Sequence, residues 1–193
     1  MSSLYWKWDN AITPERCQEI IDSAGDTFTP AGIGGSEDDS SAFRTDNKTR
    51  KTNIYWSQEQ ELFDMVGHYG ASANRQGEWN LQTNAMESIQ IGQYPTGGHY
   101  DWHVDGLGLD PIDAPENELL HGKTRKISFV LWLNDDFEGG DFEFHSAHIK
   151  GGVIKPKQGT IVLFPSWVMH RVKPVKNGIR YSAVSWLVGK PVR

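Results

Sequence analysis

The chain has 193 residues and a formal net charge of −6, enough for one domain with a proper core and the wrong sign for a general phosphate-binding surface, so no nucleic acid is expected as a partner. Cys17 is the single cysteine, which excludes an internal disulfide and fits a reducing compartment. The absence of a long apolar run and of a basic, apolar N-terminal leader argues against a membrane span or signal peptide and for a cytoplasmic or otherwise intracellular protein.

In chain order, Tyr5, Trp6 and Trp8 open a short strand. Thr13-Pro14 starts a helix, Thr as cap and Pro at the first helical position, with Cys17, Ile20, Ile21 and Ala24 on one face and Gly25 as the stop. Residues 29–49 are polar and rich in Gly and Ser, and read as a mobile loop near the substrate. Strand composition returns over residues 50–56. Ser57, with Gln60 three residues on, predicts a capped second helix that buries Leu62, Phe63, Val66, Tyr69 and Ala73. From Glu87 the pattern is strands: 87–94, 99–105, 125–133, 141–145, 153–156, 160–164 and two more that carry His170 and Arg180. Eight short strands with Gly/Pro turns after two helices predict a mainly β fold, a double-stranded β-helix (jelly roll) with the N-terminal helices packed on one sheet. We take 1–193 as a single domain, with 1–86 as helical support and loop and 87–190 as the jelly-roll core.

The chemistry concentrates in residues 90–105. His103 and Asp105 stand two apart on what reads as one strand, so both side chains reach the same side. His170, after the apolar run ending at Phe164, supplies a third ligand. Two imidazoles and one carboxylate leave three positions open on a metal, which suits non-haem Fe(II) that binds both a cosubstrate and O2. Arg180, ten residues on, can clamp a carboxylate with two parallel hydrogen bonds. Tyr94 shares a face with Gln90 and should point into the barrel, where an ordinary core Tyr is one reading. Tyr100, three residues before His103, is placed on the other side of the pleat. His99, His121, His145 and His148 read as structural or solvent-facing, Trp186 as core, and Lys123 with Arg125-Lys126 as a basic cluster at a solvated strand end, with contact to a peptide backbone or acidic substrate as the alternative.

These residues resemble the Fe(II)/2-oxoglutarate-dependent oxygenases, and within them the prolyl 4-hydroxylases. Gln90, Tyr94, Gly97, Tyr100, His103 and Asp105 fall without a gap on the family's Gln-Val-x-x-Tyr-x-x-Gly-x-x-Tyr-x-x-His-x-Asp. Arg125, Trp132-Leu133 and Glu138-Gly139-Gly140 follow in order, then His170, Pro174-Val175, Gly178, Arg180 and Trp186. The resemblance implies Fe(II) on His103, Asp105 and His170, and 2-oxoglutarate held by Arg180 with Tyr94. It also implies ascorbate as reductant, O2 as co-reactant, succinate and CO2 as co-products, and a proline-containing protein or peptide as substrate. Trp132 stands where relatives carry a Tyr that helps hold 2-oxoglutarate, which shifts the expected anchoring toward Arg180. The same cofactor chemistry on a free amino acid or another side chain, and a cupin-like metal- or sugar-binding jelly roll, are the competing readings. A nucleic-acid demethylase is disfavoured because position 186 is Trp where those enzymes carry a second Arg. A halogenase is disfavoured because Asp105 is present.

Overall fold

The strand-rich pattern folds, in a computed structural model that describes residues 3–32, 48–145 and 152–191, into two facing antiparallel sheets. In chain order the elements are β1 (Trp6–Trp8), α1 (Pro14–Ala24), β2 (Thr29–Pro30), β3 (Arg50–Lys51), β4 (Asn53–Ser57) and α2 (Gln60–Gln76). They continue as β5 (Ala85–Met86), β6 (Ile89–Tyr94), β7 (His99–His103), β8 (Thr124–Trp132), β9 (Glu138–Gly139) and β10 (Phe142–Phe144). The last are β11 (Val153–Ile154), β12 (Ile161–Pro165), β13 (His170–Val172), β14 (Val175–Asn177) and β15 (Arg180–Gly189). Among the described residues the larger sheet has eight strands in the order β1-β12-β8-β15-β6-β4-β2, with β5 on β15. The smaller has five in the order β11-β10-β13-β7-β3, and β14 pairs with β9. This is the expected jelly roll, and no helix among the described residues is long and apolar enough to cross a membrane.

The larger sheet is buried on both faces, which is why β8 reads as a near-continuous apolar run. Ile127, Phe129 and Leu131, on one face of β8, pack with Cys17 and Ile20 of α1 and Leu62, Val66 and Ala73 of α2. Val130 and Trp132, on the other, pack with Phe142 and Phe144 of the smaller sheet. The period of two along one strand thus separates a helix-facing core from the interior between the sheets. Cys17 is fully buried, and that burial pushes its thiol pKa up.

Helix α1 is capped as its sequence predicts: Thr13 Oγ1 accepts a hydrogen bond from the Arg16 amide, and Gly25 ends the helix at φ +49°. Helix α2 differs. Its N-cap is Glu59, which makes no side-chain cap hydrogen bond. Ser57 instead ends β4, and its hydroxyl accepts from the Glu59 amide. Pairing of β4 with β6 through Ser57 and Ile89 holds Ser57 in the sheet, so tertiary pairing overrides the local capping signal. Most of the loop expected over 29–49, and His148, lie outside the described residues.

Candidate metal and cosubstrate site

The interior between the sheets places His103, Asp105 and His170 together, with ligand atoms within 4.8 Å of one another. His103 ends β7 and His170 begins β13, directly opposite each other in the ladder. Asp105 is not on the strand as its spacing suggested: β7 stops at His103. The Asp105 and Gly106 amides both donate to the Ser166 carbonyl, at 3.0 and 3.2 Å, and this turn aims the carboxylate back at the imidazoles. Asp105 Oδ1 lies 3.7 Å from His103 Nε2, and Oδ2 lies 3.7 Å from His170 Nε2.

Each imidazole is set by its other nitrogen. His103 Nδ1 lies 2.7 Å from the Asp101 carbonyl and His170 Nδ1 2.8 Å from that of Val168. A carbonyl can only accept, so Nδ1 carries the proton in both and each ring turns Nε2 toward the cluster. Burial, and after it the neighbouring His170, pushes the His103 pKa down to about 4, so its ring is neutral at physiological pH. Burial alone would push the Asp105 carboxyl up. The nearby His170, His103 and Arg125 and a hydrogen bond from Ser128 outweigh it and hold the group below its ordinary value. A neutral His103 and an ionised Asp105 are protonation states that suit a divalent metal.

Packing fixes the ring planes. Phe142 stacks on His170, and Phe164 meets it edge-on. Tyr100 stacks on His103 with ring centroids 3.5 Å apart and planes 11° apart, contrary to the expectation that it lies across the pleat. The register explains this: His170 pairs with His103 but Val172 with Tyr100, so three steps on β7 oppose two on β13. A bulge inserts one residue and brings positions three apart to the same side. The guanidinium of Arg50 lies 4.7 Å over Tyr100 and donates to Gln90.

A second cluster lies further in. Arg180 is 1 % exposed and Trp132 fully buried. Arg180 donates to Ser182 and lies 4.9 Å over the Tyr94 ring, but no carboxylate pairs with it among the described residues. Burial pushes its pKa down to about 10, with Tyr94 opposing the shift, so it remains charged at neutral pH. Among the described residues the Arg180 Nε and Trp132 Nε1 protons have no hydrogen-bond partner. Ser182 pairs with Trp132 across β15 and β8, so Arg180, Ser182 and Trp132 share one face. A buried cation beside two orphaned donors is costly on its own and is satisfied by an anion. Gly140 (φ +64°) leaves room for the Arg180 side chain, since an added Cβ would stand 3.0 Å from its Cδ.

Tyr94 lines this cluster as expected, 5 % exposed. His99 is tied to the Gly97 and Lys48 carbonyls, His121 takes the Ala114 amide, and the His145 ring packs on Trp102. None of the three joins the metal cluster. The supposed solvated strand end is only partly solvated: Lys123 and Arg125 are half-buried and Lys126 is buried. Arg125 chelates Glu87 at 2.6 and 2.7 Å, reaches the Asp105 carbonyl, and lies 3.7 Å over Trp186. Lys126 is buried, and its ammonium has no hydrogen-bond partner among the described residues. Ser128 and Ser166, which contact Asp105, carried no signal in the sequence, because a serine in an apolar strand looks like a neutral filler.

Comparison with known proteins finds relatives in sequence and in fold. A "PKHD-type hydroxylase" of Synechococcus sp. (strain JA-2-3B'a(2-13)) is 35% identical over 104 residues, 53% of this chain and 43% of that protein. Another from Pseudomonas fluorescens is 33% identical over 98 residues, 50% of this chain and 41% of that protein. The chain spans less than half the length of these curated relatives. In fold, it is similar to a viral collagen prolyl hydroxylase from Paramecium Bursaria Chlorella virus-1, with TM-score 0.70, 21% identity and 97% of each chain covered. It is likewise similar to a Pseudomonas putida prolyl-4-hydroxylase, with TM-score 0.66, 18% identity and 95% and 91% of the two chains covered. The family model of the 2OG-Fe(II) oxygenase superfamily matches residues 89–188, which include every residue of both clusters except Arg50 and Glu87; the chain belongs to that superfamily.

Proposed function

We propose that this protein is an Fe(II)- and 2-oxoglutarate-dependent dioxygenase that hydroxylates prolyl residues in a protein or peptide, with succinate and CO2 as co-products. The observation that carries the reading is the pairing of an open facial triad with a buried, unpaired arginine in one interior. His103 and His170 offer Nε2, and Asp105 a carboxylate oxygen, to the metal. Three ligands on one side suit Fe(II) with positions free for further groups.

Arg180 takes the distal carboxylate of 2-oxoglutarate, because a guanidinium buried without a partner is satisfied by a carboxylate. Tyr94 and Trp132 wall that end, and the indole N–H of Trp132 is a further donor. When bound, iron and 2-oxoglutarate supply oxidative decarboxylation coupled to hydroxylation of a C–H bond. The protein's part is to orient and shield them. The Phe142 and Phe164 rings against His170 keep that side of the centre apolar and exclude water from it.

A macromolecular substrate fits the rim. Leu107 is 56% exposed and Trp167 42% exposed, and each is one residue from the hydrogen bond that joins Gly106 to Ser166 beside Asp105. The names of the relatives and of the similar folds, PKHD-type hydroxylase and prolyl hydroxylase, support proline as the target. The test is incubation with Fe(II), 2-oxoglutarate, O2, ascorbate as reductant and proline-rich peptides, followed by mass spectrometry. Gain of one oxygen atom on proline together with succinate supports the proposal. Oxygen on another side chain or on a free amino acid reassigns the substrate, and no succinate with any substrate overturns the enzyme reading.

A further inference from the structure

We propose that Ser128 is a positioning residue which, backed by Ser166, holds the Asp105 carboxylate so that one oxygen alone ligates the metal; the inference rests on the oxygenase reading above. Ser128 and Ser166 are both fully buried. The Ser128 hydroxyl donates to Asp105 Oδ2 at 2.6 Å, and the two serine oxygens lie 3.0 Å apart. Ser128 has one proton and gives it to the carboxylate, so the bond between the serines is donated by Ser166. The result is a one-way chain from Ser166 through Ser128 to Asp105.

Ser166 also grips the backbone of the same ligand, its carbonyl accepting from the Asp105 and Gly106 amides. One residue therefore sets the ligand's main chain directly and its side chain through Ser128. The two serines come from different strands: Ser128 pairs with Phe164 in the β8–β12 ladder, and Ser166 immediately follows β12. Their meeting is a product of the fold. Around them the interior is apolar, with Val130, Phe164 and Val168 nearby in the same core, where a hydroxyl is costly unless it is hydrogen-bonded. An alanine would fill either position without that cost.

The consequence is for the metal. A carboxylate can bind through one oxygen or through both, and binding through both occupies one of the positions that cosubstrate and O2 require. The Ser128 hydroxyl restrains rotation of the carboxylate and engages Oδ2. Oδ1, 3.7 Å from His103 Nε2, then remains as the free donor. Partners that orient a metal ligand in this way are worth 10–100-fold in metal affinity.

The experiment measures Co(II) binding to the metal-free protein without cosubstrate, together with the Co(II) ligand-field spectrum, which reports coordination number. Ser128→Ala should bind Co(II) about tenfold or more weakly and show an altered spectrum, while metal-free melting is held. Ser128→Thr, which keeps the hydroxyl, should restore both readings. Wild-type affinity and spectrum in Ser128→Ala would overturn the proposal, as would a loss that Ser128→Thr fails to restore in a folded protein. If Ser128→Ala does not fold, Ser166→Ala decides: a smaller loss in the same direction supports the chain, and no change overturns it. A wild-type protein that takes up no Co(II) refutes the metal reading itself, separately from the part assigned to Ser128.

Discussion

The cosubstrate role proposed for Arg180 predicts that replacing it moves binding and stability in opposite directions. The perturbation is Arg180→Met, which keeps much of the side-chain length and removes the charge. In the cosubstrate-free protein the guanidinium is held at about 10 instead of its ordinary 12.5. At roughly 1.4 kcal/mol per pH unit, this is a net unfavourable burial of about 3 kcal/mol after the opposing effect of Tyr94. Arg180→Met lifts that burden, so the metal-free protein should melt no lower than wild type, since apolar replacement of buried charge is often stabilising. Binding pays the opposite way: loss of a buried charge-assisted contact costs about 2–5 kcal/mol, a drop in 2-oxoglutarate affinity of more than tenfold. Isothermal titration of 2-oxoglutarate into anaerobic Fe(II)-loaded protein measures it, and Arg180→Lys should lose less. Unchanged affinity in Arg180→Met would place the distal carboxylate elsewhere, and a large fall in melting temperature would make Arg180 structural.

Three further outcomes follow from the site. His103→Ala, Asp105→Ala and His170→Ala should each abolish succinate formation with the fold retained by circular dichroism; full activity in any one removes the triad as framed. Trp132→Phe deletes an unpartnered buried donor, so it should leave metal-free stability within about 1–2 kcal/mol of wild type and weaken 2-oxoglutarate more than a 2-oxoacid lacking the distal carboxylate; equal effects on the two ligands in parallel titrations would exclude the indole from that carboxylate. In the metal-free protein His103 gains its proton only near pH 4, against 6.5 for an ordinary histidine. The unfolded chain binds that proton first as pH falls, so the His103 contribution is fully present above pH 6.5 and is lost toward pH 4, about 3 kcal/mol in all. Urea unfolding of wild type and His103→Asn across that window tests it: the variant should show the shallower pH dependence, and identical slopes would refute it.

Most of the metal site was legible in the amino-acid order, because a His-x-Asp, a distant His and an Arg ten residues later constrain the chemistry before any fold is known. The jelly roll was legible too: alternating strands, Gly/Pro turns and one doubly apolar strand at β8 carry a periodicity that only packed sheets satisfy. Local capping was half legible. Thr13-Pro14 acts within its own helix, so its signal holds, whereas Ser57 is claimed by pairing with a strand more than thirty residues away, which no local pattern reports.

What only the tertiary structure decided are relations between residues from separate strands. The bulge between β7 and β13 stacks Tyr100 on His103, reversing the side that simple alternation assigns. The turn after β7 delivers Asp105 through two amides held by Ser166. Arg125, read as a solvated strand end, is drawn in by Glu87 and the Trp186 ring. The meeting of Ser128 with Ser166 behind Asp105 depends on register between β8 and β12. Spacing along one strand sets which face a side chain takes, but register, bulges and turns set which faces meet, and these follow from packing the whole chain at once.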